Sequence, residues 1–402
     1  MNALLRWIGY STIISLSFQL PLYAQEQPVV KYASGQTDSA RLRNVSITAN
    51  NFEKAGIPAD NEANADAFDE DVYFEKVADL DADGKKHAIK PVVNLFKEGR
   101  YKSVTTEKKR SHKFYFHLAN IFARLKMYPL AMKCYFKTLQ SDGNNDIHIT
   151  DTVTLSNYYN TPPQDTSIAL LNTRTDTSVN RLLTINNRDE QILLTADTNN
   201  YAYTGHEIKS KPEEVCNITD PFDDGKKAMA YALLIHISQP VSGKRKIFVK
   251  LSKVGHTFIT LIKYNADSTS VSRSFGFYPK KDHFLSATPL FPTTKSVFKD
   301  DELHGWDETV GKFISERKFR KILQVIKDYD QKKYNLNKNN CTDFGLNLAG
   351  TAGIKITDTS GSWPFGHGNN PASAGQSVLE GKVLNIDSNY NLFICNDLDL
   401  KP

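Results

Sequence analysis

Two short stretches of this 402-residue chain hold the residue types that nucleophilic chemistry needs. Asn339-Asn340-Cys341-Thr342-Asp343-Phe344 sets a cysteine directly after a helix-capping asparagine, and Val254-Gly255-His256-Thr257-Phe258 sets a histidine at the head of a strand-like run. A thiol on the first turn of a helix lies among unpaired backbone N–H groups at the positive end of the helix dipole, which favours thiolate. The same amides can receive the oxyanion formed when a carbonyl is attacked. A histidine against the sulfur takes its proton and later returns one to the leaving group. The pattern therefore reads as a nucleophile, Cys341, with His256 as its base. The rival reading of Cys341 is a small buried hydrophobe or half of a disulfide with Cys216 or Cys395; its polar, cap-like surroundings favour catalysis.

The elements that must position this pair follow from local pattern. Thr257–Tyr264 and Val271–Tyr278 read as an antiparallel pair joined by the polar turn Asn265-Ala266-Asp267-Ser268. Centred near Asp267, that hairpin sets His256 opposite Tyr278, with Gly276 and Ser274 nearer the turn. Tyr278 is then a candidate to orient the imidazole or assist the oxyanion, or simply an aromatic edge residue. Gly255 allows another backbone to approach closely. A helix is expected over Glu316–Tyr329, with Phe319, Ile322, Leu323 and Ile326 on one stripe. A second begins at Cys341, capped by Asn340, with Phe344, Leu348 and Ala349 inward and Gly350 as its stop. Asn340, Trp306 and Trp363 are the candidate substrate contacts, the tryptophans on loops that would wall a cleft.

The order of histidine on a strand, aromatic residue on the next strand, then Asn-Cys at a helix start resembles the circularly permuted papain-like families. These are relatives of the NlpC-type cell-wall peptidases and of lecithin:retinol acyltransferase. In the unpermuted papain order the cysteine comes first, so His256 before Cys341 selects the permuted branch. The resemblance spans roughly residues 230 to 380. It implies an α+β fold of antiparallel strands packed on helices, with Cys341 as nucleophile and His256 as base. It further implies an amidase, peptidase or acyltransferase working through a thioester, with a peptide or acyl substrate and cell-wall peptide as the natural candidate. Tyr278 departs from the His, Asn, Gln or Glu that such families often use as third member. A second reading is a non-catalytic envelope binding or assembly protein that keeps the scaffold, because a fold does not guarantee its chemistry.

The rest of the chain sets the context. Residues 1–24 carry one charge at Arg6, an apolar stretch from Trp7 to Leu22 and the small-residue ending Leu22-Tyr23-Ala24, the signature of a secretory signal peptide. Its apolar core is broken by Ser11, Ser15, Ser17, Gln19 and Pro21, whereas a spanning helix wants roughly 20 apolar residues. The expectation is an exported protein, periplasmic or secreted, with no transmembrane segment after signal removal. Residues 25–84 read as an extended leader; DLDADG within it lacks the closing Glu of a calcium loop. Residues 85–142 read as helical, with segments near Ile89–Phe96, Lys113–Lys126 and Pro129–Leu139. Tyr115, Leu118, Ala119, Phe122, Ala131 and Tyr135 follow tetratricopeptide spacing, a possible protein-partner hairpin in which Cys134 is buried and inert. Residues 143–220 read as a polar linker and 221–402 as the papain-like domain, with a further strand expected at Lys246–Val249.

Charge and composition exclude other classes. The 50 basic and 45 acidic residues give +5, and the densest basic run, Lys108-Lys109-Arg110, suits a solvated helix end, so no nucleic-acid reader is assembled. Four cysteines spaced by 82, 125 and 54 residues form neither a disulfide scaffold nor a zinc motif. His283, His304 and His367 read as exposed loop residues without ligand spacing, so neither a metal nor a cofactor is expected.

Overall fold

The structure, a computed structural model, describes residues 108–141, 185, 188–189, 209–247, 254–280, 282–283, 285–387 and 392–396. The expected signal peptide, leader, helix at Ile89–Phe96 and most of the 143–220 linker lie outside them. The helices are α1 (Lys108–Arg124), α2 (Tyr128–Ser141), α3 (Val215–Thr219), α4 (Glu316–Tyr329), α5 (Cys341–Ala352) and α6 (Pro371–Leu379). The principal strands are β1 (Lys211–Glu213), β2 (Ala228–Ser238), β3 (His256–Asn265) and β4 (Ser270–Pro279). They continue through β5 (Thr293–Thr294), β6 (Ser296–Asp300), β7 (Glu308–Ile314) and β8 (Tyr334–Asn335). After α5 come β9 (Ile354–Ile356), β10 (Ser360–Trp363), β11 (Gly366–Asn369), β12 (Val383–Asn385) and β13 (Phe393–Asn396). Seven of them form one antiparallel sheet in the order β1-β6-β4-β3-β2-β7-β13.

Helices cover both faces of this sheet, which explains why β2 buries the consecutive apolar side chains Ala232, Leu233, Leu234 and Ile235 instead of alternating. On β2, Leu233, Ile235 and Ile237 join the core beneath α4, α5 and α6, while Ala230, Ala232 and Leu234 join the core beneath the α1–α2 hairpin. Each buried Leu or Ile contributes about 1.5–3 kcal/mol over its exposed state. The tetratricopeptide-like positions Tyr115, Leu118, Ala119, Phe122, Ala131 and Tyr135 are all buried within that hairpin-side core. The hairpin is joined by a Schellman turn at Lys126, whose φ is 61°, with Met127 N–H on Phe122 O (2.8 Å) and Lys126 N–H on Ala123 O (2.9 Å). Cys134 is fully buried and its thiol is pushed well up by burial.

The hairpin β3–β4 pairs Phe258 with Gly276, Thr260 with Ser274 and Tyr264 with Ser270, the register centred on Asp267. Helix α4 occupies Glu316–Tyr329, capped by Ser315. Two local expectations are corrected. Helix α5 runs through Gly350 and stops at Gly353, which takes φ 92° and bonds the carbonyls of Ala349 and Gly350. A single helical glycine costs only about 1 kcal/mol and does not end a helix, whereas a left-handed C′ residue does. Lys246 and Ile247 lie in no strand, and the rest of that expected strand lies outside the described residues.

One buried group makes a testable demand on stability. Glu308, at the head of β7, is fully buried with neither carboxylate oxygen hydrogen-bonded, and burial pushes its pKa up to about 9. Its protonated form is the folded form, so its stability contribution is fully present below the unfolded value of 4.5 and is lost as pH rises to about 9. Glu308→Gln removes that dependence. The melting-temperature difference between the variant and the parent is expected to be small at pH 4 and to widen steadily in the variant's favour up to pH 9.

Candidate active site

His256 is the first residue of β3, and its placement depends on the glycine before it. Gly255 has φ 74°, and a Cβ there would lie 2.5 Å from Ser238 O and 2.8 Å from Pro240 Cδ, so only glycine fits both the backbone and the space. The ring lies across the strand pair, where Gly276 on β4 leaves room. Its Nε2 is 3.0 Å from Asp301 Oδ2, a pairing in which both side chains are buried. Asp301 follows directly on β6, and its amide donates to Ser274 O (3.0 Å). Its other oxygen accepts from the Tyr278 hydroxyl (2.7 Å) and from Ser210. Tyr278 also packs its ring on His256 with centroids 4.2 Å apart. Tyr278 thus touches the imidazole with a ring tilted 32° to it and holds its acidic partner by a hydrogen bond. Ser210 and Asp301 were not anticipated from the sequence.

Cys341 opens α5. The Asn340 side chain accepts from Thr342 N–H (2.8 Å) and Asp343 N–H (3.1 Å), while Asp343 accepts from Asn340 N–H (2.9 Å), a reciprocal capping box. With His256 Nε2 engaged by Asp301, Nδ1 is the ring nitrogen left for the sulfur. Burial pushes the Cys341 thiol up, but the His256 hydrogen bond and charge, the Thr257 amide and the Tyr334 hydroxyl together bring it below the ordinary thiol value. Burial likewise pushes His256 down, and the charge and hydrogen bond of Asp301, with Cys341, reverse this to about 9. Asp301, penalised by burial, is held below the usual carboxylate value chiefly by the His256 charge and hydrogen bond. The three groups thus favour a thiolate beside an imidazolium, oriented by a carboxylate.

Tyr334, on β8 seven residues before the cysteine, completes the surroundings of the sulfur. Burial raises it well above the ordinary phenol value, so it remains a hydroxyl, hydrogen-bonded to the Cys341 sulfur and to the Cys341 backbone N–H. A carbonyl oxygen arriving there would meet the Cys341 N–H and the Tyr334 hydroxyl, two donors for an oxyanion. Tyr334→Phe is therefore expected to slow acylation of Cys341 by p-nitrophenyl acetate by about 10²-fold. Alkylation by iodoacetamide, which forms no oxyanion, should fall far less; equal losses in the two rates would remove Tyr334 from this role.

The other expected contacts are placed differently from one another. Asn340 is buried, with its side-chain N–H groups on Leu336 O (2.9 Å) and Asn369 O (2.8 Å) and its oxygen in the cap, so its polar capacity is used internally. Trp306 faces the helical hairpin, donating to the Tyr128 hydroxyl (3.1 Å) beneath the Arg124 guanidinium. Trp363 is buried on β10 against Gly366 and Asn337, the segment leading into Cys341. His304 is corrected from exposed to buried: it lies in the Asp301 loop with its ring 5.0 Å from that of His256. His283 and His367 are exposed. No disulfide joins any of the four cysteines, and Cys216 is exposed. Among the described residues no three His, Cys, Asp or Glu side chains converge as a metal site, and no helix is long and apolar enough to cross a membrane. Comparison with known proteins adds no neighbour: no family model matches the sequence, and no curated protein or solved structure matches it.

Proposed function

We propose that this chain is an exported cysteine hydrolase or acyltransferase of the permuted papain-like type, acting on an amide or ester through a thioester at Cys341. The observation that carries the reading is the relay Cys341–His256–Asp301 at a capped helix start. The thiolate attacks the carbonyl carbon, and the oxyanion is received by the Cys341 N–H and the Tyr334 hydroxyl. His256 gives its proton to the leaving amine or alcohol as the C–N or C–O bond breaks. Water or an acceptor amine then attacks the thioester, His256 takes the proton, and the thiolate leaves. Cell-wall peptide is the substrate class that the family resemblance and the signal-like N-terminus favour.

The hairpin supports this site. Lys126 Nζ is hydrogen-bonded to Leu303 O, and Trp306 is bonded to Tyr128, so the hairpin turn grips both ends of the Asp301 loop. Burial brings Lys126 down to about 8 against the raising effect of Asp301 and Glu302.

The test is acid-quenched incubation of the full chain with cell-wall peptides and with simple acyl amides and esters. A mass adduct on the Cys341 peptide is expected, absent in Cys341→Ala and strongly reduced in His256→Ala. Turnover that survives Cys341→Ala contradicts the proposal.

A further inference from the structure

Beside Tyr334, a surface combines exposed apolar side chains with lysines. Strand β5 pairs with β8, Leu336 N–H bonds Pro292 O (2.9 Å), and Gly366 and Gly368 lie against Asn337, so three loops meet at the segment entering Cys341. Their large apolar side chains point outward: Leu290 is 64% exposed, Phe291 56% and Phe365 79%. Three of the seven exposed large hydrophobics among the described residues therefore gather at one place.

The same loops are basic. Lys280, Lys295, Lys332, Lys333 and Lys338 are all exposed there, against Asp282 and Asp330. Backbone and side-chain bonds keep them together: Lys280 N–H on Lys295 O (2.7 Å), Ser296 on Lys332 O (2.5 Å), and Asn339 on Lys333 O (2.8 Å). None of Lys280, Lys295, Lys333 and Lys338 forms an ion pair with a described residue, so their charge is offered outward.

Lysine is depleted where one protein buries another's surface, because its ammonium is costly to desolvate. An acidic soluble polymer would reward the lysines but not three exposed apolar side chains. A membrane of anionic lipid rewards both, since apolar side chains enter the acyl boundary while ammonium groups stay among phosphates. We propose that this surface docks the protein on an anionic lipid membrane, with Leu290, Phe291 and Phe365 inserted and the lysines facing lipid phosphates. The proposal stands independently of the chemistry at Cys341.

The test is co-sedimentation of the full chain with vesicles of phosphatidylglycerol and phosphatidylcholine in equal parts, or of phosphatidylcholine alone. Because residues 1–24 are the same in every variant, any binding they add cancels in the comparison. Leu290→Ser with Phe291→Ser should weaken partitioning to anionic vesicles by tenfold or more. Replacing Lys280, Lys295, Lys333 and Lys338 by glutamine should cost about fivefold per lysine and abolish the preference for anionic over neutral vesicles. Cys341→Ala should bind as the parent does, which separates failure here from failure of the proposed catalysis. Equal binding of parent and both surface variants overturns the proposal, as does binding to soluble polyaspartate without binding to anionic vesicles.

Discussion

Asp301→Asn should slow acylation of Cys341 by roughly 10²- to 10⁴-fold at pH 7, the range that proton-transfer groups and their orienting partners command. Asparagine keeps the shape and can still accept from Tyr278 and Ser210, so the fold is expected to survive. What it removes is the negative charge that holds His256 up at about 9 against its burial. Without that charge, burial lowers the imidazole, and at neutral pH the ring loses its proton. The sulfur then loses the cationic neighbour that offsets its own burial, and its titration moves upward. The variant should therefore regain alkylation reactivity only at alkaline pH, while melting within a few degrees of the parent. An unchanged profile would mean that Asp301 is a structural acceptor only.

Gly276→Ala is expected to be nearly as damaging, although alanine is the better strand residue. A Cβ at this position would overlap Asp301 Oδ2 and His256 Nε2, the two atoms of the pairing, and would lie 2.9 Å from His256 Cε1. Backbone carries Gly276 in the register Phe258↔Gly276, so the added methyl cannot retreat without breaking β3–β4 pairing. The cheaper response is for the imidazole to swing off the carboxylate. Cys341 acylation should fall by about 10² or more. A useful control is Gly350→Ala, in exposed helix with nothing within 4 Å of the added Cβ. It should stabilise the protein by about 0.5–1 kcal/mol and leave acylation unchanged.

The parts of the site that local pattern controls were legible in the sequence. Asn340-Cys341 announces a capped helix start because capping chemistry is confined to four consecutive residues. The β3–β4 register follows from one short polar turn, and with it the placing of Tyr278 across from His256. Asp301 was not legible, because its position depends on β6 returning to pair with β4 after the loop that follows Pro279, a non-local choice. Tyr334 escaped for a similar reason: its strand is two residues long and pairs with Thr293–Thr294, so no periodicity marks it. The one available signal for Asp301 was the acidic pair Asp300-Asp301 that follows Val297-Phe298-Lys299. Trp306 was misleading in the opposite way, since a loop tryptophan reads as a cleft wall until the helical hairpin that covers it is in view. The sequence pattern made that hairpin a tetratricopeptide-like unit, yet its packing face is occupied by the sheet.

The most direct test of the central claim, a Cys341 thiolate sustained by His256, is the pH profile of iodoacetamide alkylation at Cys341, read peptide by peptide with exposed Cys216 as internal reference. In the parent, the alkylation midpoint of Cys341 should lie below the ordinary thiol range. In His256→Ala its midpoint should rise above that range, because burial is then opposed only by the Thr257 amide and Tyr334 hydroxyl. Superimposable profiles for the parent and His256→Ala would contradict the account.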